Sequence, residues 1–418
     1  MLVFTIALFV FFDLIGYWPL LEKPLRVYTA DGILLLLAIL PIKLLTRRVS
    51  LKELFASPIS RLLGLNLLYG GIALVMGFAA GHALNDVLGD FRRFYVYPLA
   101  FFVVLSNVFS LKDVRKLTMG LGLALLVISS IALGRVITGN TWDPAQFRRA
   151  GDFRAIGYFT GVIVVMGIGI FSGIGFSVKK NRVLFFLTVS VSLVVVLLSG
   201  YRLLWILAGM ALISMSIFAL GKKGNTVQLV LAVLLWLGLL GGFVVVAQRL
   251  FPDLWLLWSE KFLVGVLGFS FESNARYFAW QTAWEKFLSS PIIGIGIGDQ
   301  FEFLLRNSRG YFQTGNATTH NILLDLLYQT GAIGGGLFLL IHFMVLKTVW
   351  GRLKGHKLET RLPLLGMLIG YLSCLVMSMF QPTLDAPGAI VAVYLWCGFM
   401  LKLTETGSAE ASLIFERY

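Results

Sequence analysis

The chain has 418 residues, of which 58% are hydrophobic and 13% are charged, with a formal net charge of +14. Soluble domains carry about twice that charged fraction, so the composition excludes an ordinary soluble protein. The apolar residues form blocks long enough to cross ~30 Å of hydrocarbon, whereas β-barrel strands would alternate over about 10 residues. We therefore predict an all-α polytopic membrane protein, with residues 1–418 forming a single integral membrane domain.

About twelve transmembrane helices follow in chain order. We expect them near residues 2–20, 29–46, 61–81, 94–110, 115–137, 157–177, 183–198, 202–220, 227–247, 319–346, 362–380 and 387–402. With a cytoplasmic N-terminus, the inside loops are short and basic, as the positive-inside rule requires. The even number of spans then returns the C-terminus to the cytoplasm.

The two sides of the membrane differ in their basic residues. On this topology the inner side has 12 Lys and 8 Arg, whereas the outer side has 3 Lys and 12 Arg. The planar guanidinium matches phosphate oxygens bidentately, whereas lysine is a hydrated point charge. The outer arginines therefore indicate a phosphorylated ligand, although arginines that contact lipid headgroups would give the same count.

Two outer loops stand out. Residues 138–156 hold Arg148, Arg149 and Arg154, which are candidate substrate contacts. Residues 248–318, between the ninth and tenth spans, form a long polar loop, and structureless loops of that length are uncommon. We expect this loop to be partly helical and functional.

The long loop contains a predicted helix, "SNARYFAWQTAWEKFLSSP", which begins at a Ser/Asn cap and stops at Pro291. Its apolar stripe should lie on the membrane surface or on neighbouring spans. The stripe consists of Tyr277, Trp280, Trp284 and Phe287. Arg276 lies on another face beside Ala279 and Ala283, where small side chains leave room for a ligand.

His320 stands in "ATTHNILLDLL", in the predicted first turn of the tenth span, after two threonines that can cap the helix. A helix N-terminus disfavours imidazolium and attracts anions, so a neutral imidazole there can accept a proton. Arg202 opens the eighth span at its outer end, where an arginine can also be a snorkelling anchor. We expect His320, Arg202 and Arg276 to converge in one water-filled pocket suited to attack on a phosphate-activated centre.

Asp325 is an ionisable residue inside the same predicted span. It lies five residues after His320 and therefore about 140° around the helix. We predict that it has a structural role and pairs with a neighbouring span.

Several other chemistries lack their motifs. The chain has no phosphate-binding loop ending in Gly-Lys-Ser/Thr, and Gly294, Gly296 and Gly298 lack the βαβ context of a dinucleotide fingerprint. We expect these glycines to make turns that return the loop to the membrane. No Asp-x-Asp occurs, and the scattered outer carboxylates, of which Asp299 and Glu302 are the nearest candidate pair, do not favour a divalent metal. We predict no metal, no cofactor and no nucleic-acid partner.

One motif resembles a known family. "HNILLDLLYQTGAIGG" reads as His-Asn, nine residues, Gly331, two residues and Gly334. It resembles the pattern of bacterial O-antigen ligases and, more broadly, of the O-antigen ligase/polymerase superfamily. The preceding "PIIGIGIGDQF" is similar to the stretch that joins the loop arginine of that superfamily to its histidine.

The resemblance implies a metal-independent, inverting glycosyltransferase of the bacterial inner membrane. Such an enzyme moves a glycan from undecaprenyl pyrophosphate to a sugar of lipid A–core on the periplasmic side. By position, His320 matches the catalytic histidine, Arg202 and Arg276 match the pyrophosphate-binding arginines, and Asn321 is a further candidate for substrate binding. A polymerase of the same superfamily, a ligase for another surface acceptor, and a transporter or glycan flippase remain alternatives.

Overall fold

A computed structural model describes most of the apolar part of the chain. The described residues are 50–107, 158–177, 182–199, 202–220, 271–306, 312–317, 319–356, 358–381 and 387–405, with short pieces between 125 and 134 and the single positions 238, 245, 249 and 384. The predicted spans 2–20 and 29–46 lie outside this set, as do most of 115–137 and 227–247.

Helices dominate the described residues. They are α1 (Leu51–Leu54), α2 (Pro58–Ala79), α3 (Leu84–Phe91), α4 (Ala100–Asn107), α5 (Tyr158–Ser177), α6 (Arg182–Leu198), α7 (Arg202–Leu220), α8 (Phe271–Ser289), α9 (Ile322–Leu353), α10 (Leu358–Ser378) and α11 (Pro387–Glu405). A π-helical turn (Arg92–Val96) and a 3₁₀ turn (Tyr97–Leu99) connect α3 to α4. The span predicted over 94–110 is therefore not one continuous α-helix. Its irregular part contains Pro98, which lacks the N–H that a helix interior needs.

Four helices within the described ranges are long and apolar enough to cross a membrane. They are Pro58–Ala79, Ile322–Leu353, Arg361–Ser378 and Pro387–Glu405. Three shorter apolar helices cover Gly161–Phe176, Phe185–Leu197 and Leu203–Ala219. These seven helices coincide with predicted spans, so a helical membrane protein is confirmed, while the count of twelve spans stays a prediction.

The described part of the long loop contains one element that the all-α prediction did not include. Strands β1 (Phe301–Arg306) and β2 (Phe312–Ala317) pair antiparallel, with Phe301 opposite Ala317 and Arg306 opposite Phe312. Backbone N–H and C=O groups that lie outside helices need partners, and a hairpin pairs them within a short segment. The loop therefore combines the predicted helix, now α8, with a hairpin.

Helices α5 and α10 pack with their backbones in contact. A methyl group added at Gly169 or at Gly366 would overlap the carbonyl oxygen of the other residue. One turn further along, a methyl group on Gly370 would lie 2.7 Å from Met166 Cα, and one on Gly173 would overlap the backbone of Leu362. Small residues four apart on both helices permit this approach, which is how spans associate by van der Waals packing in lipid.

Candidate functional site

The N-terminus of α9 begins two residues after His320. Asn321 is the N-cap, and its Oδ1 accepts hydrogen bonds from the N–H groups of Leu323 and Leu324 at 3.1 and 3.2 Å. The prediction that the threonines cap this helix is therefore wrong, because the asparagine oxygen takes the exposed N–H groups. His320 precedes the helix and does not lie in its first turn. Asn321 stays a predicted substrate contact, with its side-chain oxygen engaged in the cap.

His320 has an unusual backbone conformation. Its φ is 54°, and it has the only positive φ among the described residues other than glycine. The left-handed region costs a residue with a Cβ about 1–2 kcal/mol. Such a conformation persists only where the surrounding contacts impose it, and it is concentrated at functional sites. The half-buried side chain of His320 is therefore directed by the residues on either side of it.

Thr319 fixes the chain immediately before the histidine. It is fully buried, and both its N–H and its Oγ1 lie within hydrogen-bond distance of Asp325 Oδ1, at 3.2 and 2.9 Å. Its Oγ1 also accepts a hydrogen bond from Asn321 N–H at 3.1 Å. These bonds hold the two neighbours of His320, so the left-handed turn between them has little freedom.

Asp325 is 1% exposed and belongs to the first turn of α9. Asp325 Oδ1 lies within hydrogen-bond distance of the Thr319 nitrogen and hydroxyl oxygen, on the approach to its own helix. The predicted pairing of Asp325 with a neighbouring span stays a prediction. The angular separation of His320 and Asp325 does not prevent an indirect connection, because Thr319, which precedes His320, contacts Asp325 in the first turn of α9. Sequence spacing alone treated the whole segment as helix and missed this contact.

Helix α8 packs against α9 through its small residues. Ala279 is 3% exposed and Ala283 is fully buried, and the two form one buried cluster with Tyr328 of α9. The prediction that these alanines leave room for a ligand is therefore wrong at these positions, since they allow close helix contact instead. Of the apolar stripe, Phe287 joins this cluster, whereas Trp284 is 48% exposed.

Trp280 connects α8 to the turn that carries the histidine. Its indole Nε1–H donates a hydrogen bond of 2.7 Å to the carbonyl oxygen of Thr319. Arg276 lies four residues before Trp280 on the same helix, so one helical turn separates the two. The contact fixes the segment that bears Arg276 beside the segment that bears His320.

Helix α9 is broken at Gly331, the first glycine of the family-like motif. Gly331 has φ 66° and ψ −170°, so the hydrogen bonds of the helix cannot continue through it. The segment after α8 replaces them. Ile295 N–H and Gly296 N–H donate to the carbonyls of Tyr328 and Gln329 at 3.1 and 3.0 Å. On the other side of the break, the N–H groups of residues 332 and 333 donate to the carbonyls of residues 291 and 292 at 2.8 and 3.2 Å.

The glycines of "PIIGIGIGD" allow this segment to approach other backbones. Gly294, Gly296 and Gly298 all have positive φ, at 76°, 100° and 88°, which agrees with the predicted turn positions. A methyl group on Gly294 would overlap the backbone of Gln329, and one on Gly296 would lie 3.0 Å from Gly77 Cα. The segment thus lies between α9 and the end of α2.

A polar cluster fixes the end of this segment. Asp299 forms an ion pair with Lys286 of α8, and His82 Nε2 lies 3.7 Å from Asp299 Oδ1. His82 Nδ1 is 2.9 Å from the carbonyl oxygen of Ile297. In the part of the chain that the structure describes, no group of three His, Cys, Asp or Glu residues is placed to hold a metal ion. Asp299, one of the two carboxylates considered for a metal, therefore has a structural partner.

The structure describes the backbone of two of the five predicted site arginines. Arg202 is the first residue of α7 and Arg276 lies in α8, but the described part of the structure does not include their side chains. Arg148, Arg149 and Arg154 lie outside the described residues. The convergence of His320 with the guanidinium groups therefore stays a prediction.

A groove runs beside the first turn of α9. Its lining includes one arginine, Arg93, which is not among the predicted site residues. The groove is open to solvent and lies between the π-helical turn, α9 and α11, and Ile322 and Leu326 form part of its largely apolar lining. Arg93 lines the groove, and its Nη2 lies 3.3 Å from Asp90 Oδ1. Asp90 Oδ2 in turn accepts a hydrogen bond of 3.1 Å from Gly298 N–H. The sequence signal was the outer-side arginine count, which did not single out Arg93.

Comparison with known proteins agrees with the motif. The family model described as O-antigen ligase matches residues 187–339. This interval includes Arg202, Arg276, His320 and both glycines of the motif. No curated protein matches the chain. The family match confirms the resemblance that the His-Asn-x9-Gly-x-x-Gly motif indicates, which is to the O-antigen ligase family.

Proposed function

We propose that the protein is an O-antigen ligase that transfers a glycan from undecaprenyl pyrophosphate to a sugar hydroxyl of lipid A–core on the periplasmic side of the inner membrane. The observation that supports this most is the family match over residues 187–339, which spans the histidine, both arginines and the paired glycines. The strained turn at His320, at the outer end of α9 on the predicted topology, adds support. Strain of this kind is concentrated at functional sites.

In the proposed mechanism, Arg202 and Arg276 bind the pyrophosphate of the donor. His320 accepts the proton of the acceptor hydroxyl as its oxygen attacks the anomeric carbon. The bond from that carbon to the pyrophosphate oxygen breaks, and the arginines stabilise the charge that develops on the leaving group. Attack from the face opposite the leaving group inverts the anomeric configuration. No step of this scheme uses a metal ion.

A transporter or flippase is the alternative of another class, and the break in α9 bears on it. Transporters use broken helices to coordinate substrates and ions with freed backbone groups. Here the carbonyls of Tyr328 and Gln329 accept from Ile295 and Gly296, and Tyr69 Oη donates to the carbonyl of Thr330 at 2.6 Å. Because these groups already have protein partners, the break supports a structural role for Gly331 more than an ion site.

Deletion of the gene in its host tests the proposed reaction. We expect bare lipid A–core and full-length glycan retained on the lipid carrier. A polymerase would instead leave core carrying a single repeat unit after deletion, and a flippase would leave the donor on the cytoplasmic side. Either of those two profiles would contradict the ligase proposal.

Transfer by the purified full-length protein tests the residues. Loss of one preorganised electrostatic contact costs ~10²–10³ in rate, so His320→Ala, Arg202→Ala and Arg276→Ala should each lower kcat by about that factor. Arg276→Lys should rescue poorly, because it lacks the bidentate fork. Gln281→Ala, an exposed position on the same helix, is the control and should retain activity. Near-normal transfer by His320→Ala would rule out the general base, and loss of activity on addition of a chelator would contradict metal independence.

A further inference from the structure

We infer that Thr319, held by Asp325 and Trp280, positions His320 for transfer, and this rests on the proposed function. The polar atoms of Thr319 are all engaged although the residue is fully buried. Asp325 Oδ1 lies 3.2 Å from its nitrogen and 2.9 Å from its hydroxyl oxygen, and Trp280 donates to its carbonyl at 2.7 Å. A buried threonine with three such contacts fixes the backbone of the next residue.

The next residue is the histidine with the left-handed backbone. Its other neighbour, Asn321, is fixed by capping α9 and by a 3.1 Å bond from its N–H to Thr319 Oγ1. The direction in which the His320 Cβ leaves the chain is therefore set from both sides. A shift of about 1 Å at a reacting group can cost ~10²-fold in rate, so loss of this support should affect turnover.

Thr319 also connects the two segments that carry the proposed catalytic groups. Trp280 lies one turn after Arg276 on α8, and Asp325 lies in the first turn of α9. The bonds from both residues meet at Thr319. Its contacts therefore fix the spacing between the arginine-bearing helix and the histidine, and Asp325 acts as a positioning residue that accepts hydrogen bonds.

Asp325 could act as a hydrogen-bond acceptor for Thr319 or as a charge partner of His320, and the two roles predict different activities for Asp325 variants. The Thr319 N–H and hydroxyl both lie within hydrogen-bond distance of one carboxylate oxygen of Asp325, and the hydroxyl also lies 2.8 Å from the Asn321 carbonyl oxygen. Asp325→Asn can still supply an acceptor at the position of that carboxylate oxygen. We expect Asp325→Asn to stay within several-fold of wild-type kcat and to keep its pH profile. Asp325→Ala should lower kcat about 10–100-fold with a smaller change in the donor KM. If Asp325→Asn were as impaired as His320→Ala, or shifted the pH profile of kcat, the positioning role would be refuted.

Substitutions of Thr319 and Trp280 can each be compared with a matched control substitution. Thr319→Ser keeps the hydroxyl and should retain activity, whereas Thr319→Val keeps the shape and should lose about 10–100-fold in kcat. Trp280→Phe removes the indole donor and should lower kcat, and Trp284→Phe, on the exposed part of the same helix, should not. Equal activity of Thr319→Val and Thr319→Ser would overturn the inference.

A second measurement separates this inference from the proposed function. Diethyl pyrocarbonate modifies neutral imidazoles, and mass spectrometry of the folded, full-length protein gives the rate at His320. We expect that rate to change several-fold in Thr319→Val but not in Thr319→Ser, with His82 as an internal reference. An unchanged rate at His320 refutes the positioning role even if the protein transfers glycans. An inactive wild-type protein whose His320 rate responds as expected refutes only the proposed function.

Discussion

Replacing Gly331 with alanine should destabilise the protein through the break in α9. Gly331 has φ 66° and ψ −170°, a region that is essentially restricted to glycine. A methyl group there would overlap the carbonyl of Ile292. The clash falls on the segment whose carbonyls accept the N–H groups of Ala332 and Ile333 at 2.8 and 3.2 Å. The substitution therefore acts on the backbone conformation and on the pairing of two segments at once.

The magnitude follows from these two contributions. An alanine held in this conformation costs about 1–3 kcal/mol. Displacing two backbone hydrogen bonds costs about 0.5–1.5 kcal/mol each. Gly331→Ala should therefore lower the free energy of unfolding by roughly 2–6 kcal/mol.

Gly336→Ala is the matched control, because Gly336 lies in the same helix and a methyl group there would meet nothing within 4 Å. In a helix interior, alanine is favoured over glycine by about 1 kcal/mol, so this control should be neutral or slightly stabilising. Tryptophan fluorescence during heating of the purified protein in detergent gives the apparent unfolding midpoint of each variant. Equal midpoints for Gly331→Ala and Gly336→Ala would refute the role assigned to the break.

Three further substitutions probe contacts between segments, each by the same unfolding measurement. Tyr69→Phe removes the hydroxyl that donates to the carbonyl of Thr330 at 2.6 Å, and loss of this buried bond should cost about 0.5–1.5 kcal/mol. An unchanged midpoint would show that this bond does not contribute to the stability of the break. Lys286→Met leaves the 15% exposed Asp299 without its lysine and should cost about 1–3 kcal/mol, part of which Asp299→Asn in the same chain should restore. Tyr371→Phe removes the hydroxyl of α10 that is hydrogen-bonded to the buried imidazole of His342 in α9, and its loss should cost about 0.6–1.7 kcal/mol. A gain in stability would contradict a stabilising role for this bond.

The sequence predicts most helix bounds closely because hydropathy responds to the same burial that forms the spans. The helix predicted over 157–177 is observed over Tyr158–Ser177, and the one predicted over 202–220 over Arg202–Leu220. The loop helix is also predicted, and Pro291 lies two residues after its observed end at Ser289. Its start at the Ser/Asn cap is predicted two residues too late, because the helix begins at Phe271. In each case the information lies within about 20 adjacent residues.

Features that depend on distant residues were not predictable in the same way. The N-terminus of α9 was placed too early because two threonines and an asparagine compete to cap it, and only the contact between Thr319 and Asp325 decides in favour of Asn321. The motif identified Gly331 as a conspicuous glycine, but the break depends on pairing with the segment that begins at Pro291. Hydrogen-bond partners of this kind are not encoded in local periodicity.

The glycine faces of α5 and α10 have a consequence for how the protein is made. Nearly half of the chain lies between Gly169 and Gly366, so the glycine face of α5 is synthesised long before that of α10. The glycines of each helix let the backbone of the other helix approach closely, and lipid tails or larger side chains fill the resulting groove poorly. A nascent chain that stops short of α10 therefore exposes an unfilled groove within the bilayer. Such a chain should be a substrate for membrane quality-control proteases, whereas a chain that has inserted α10 should escape them.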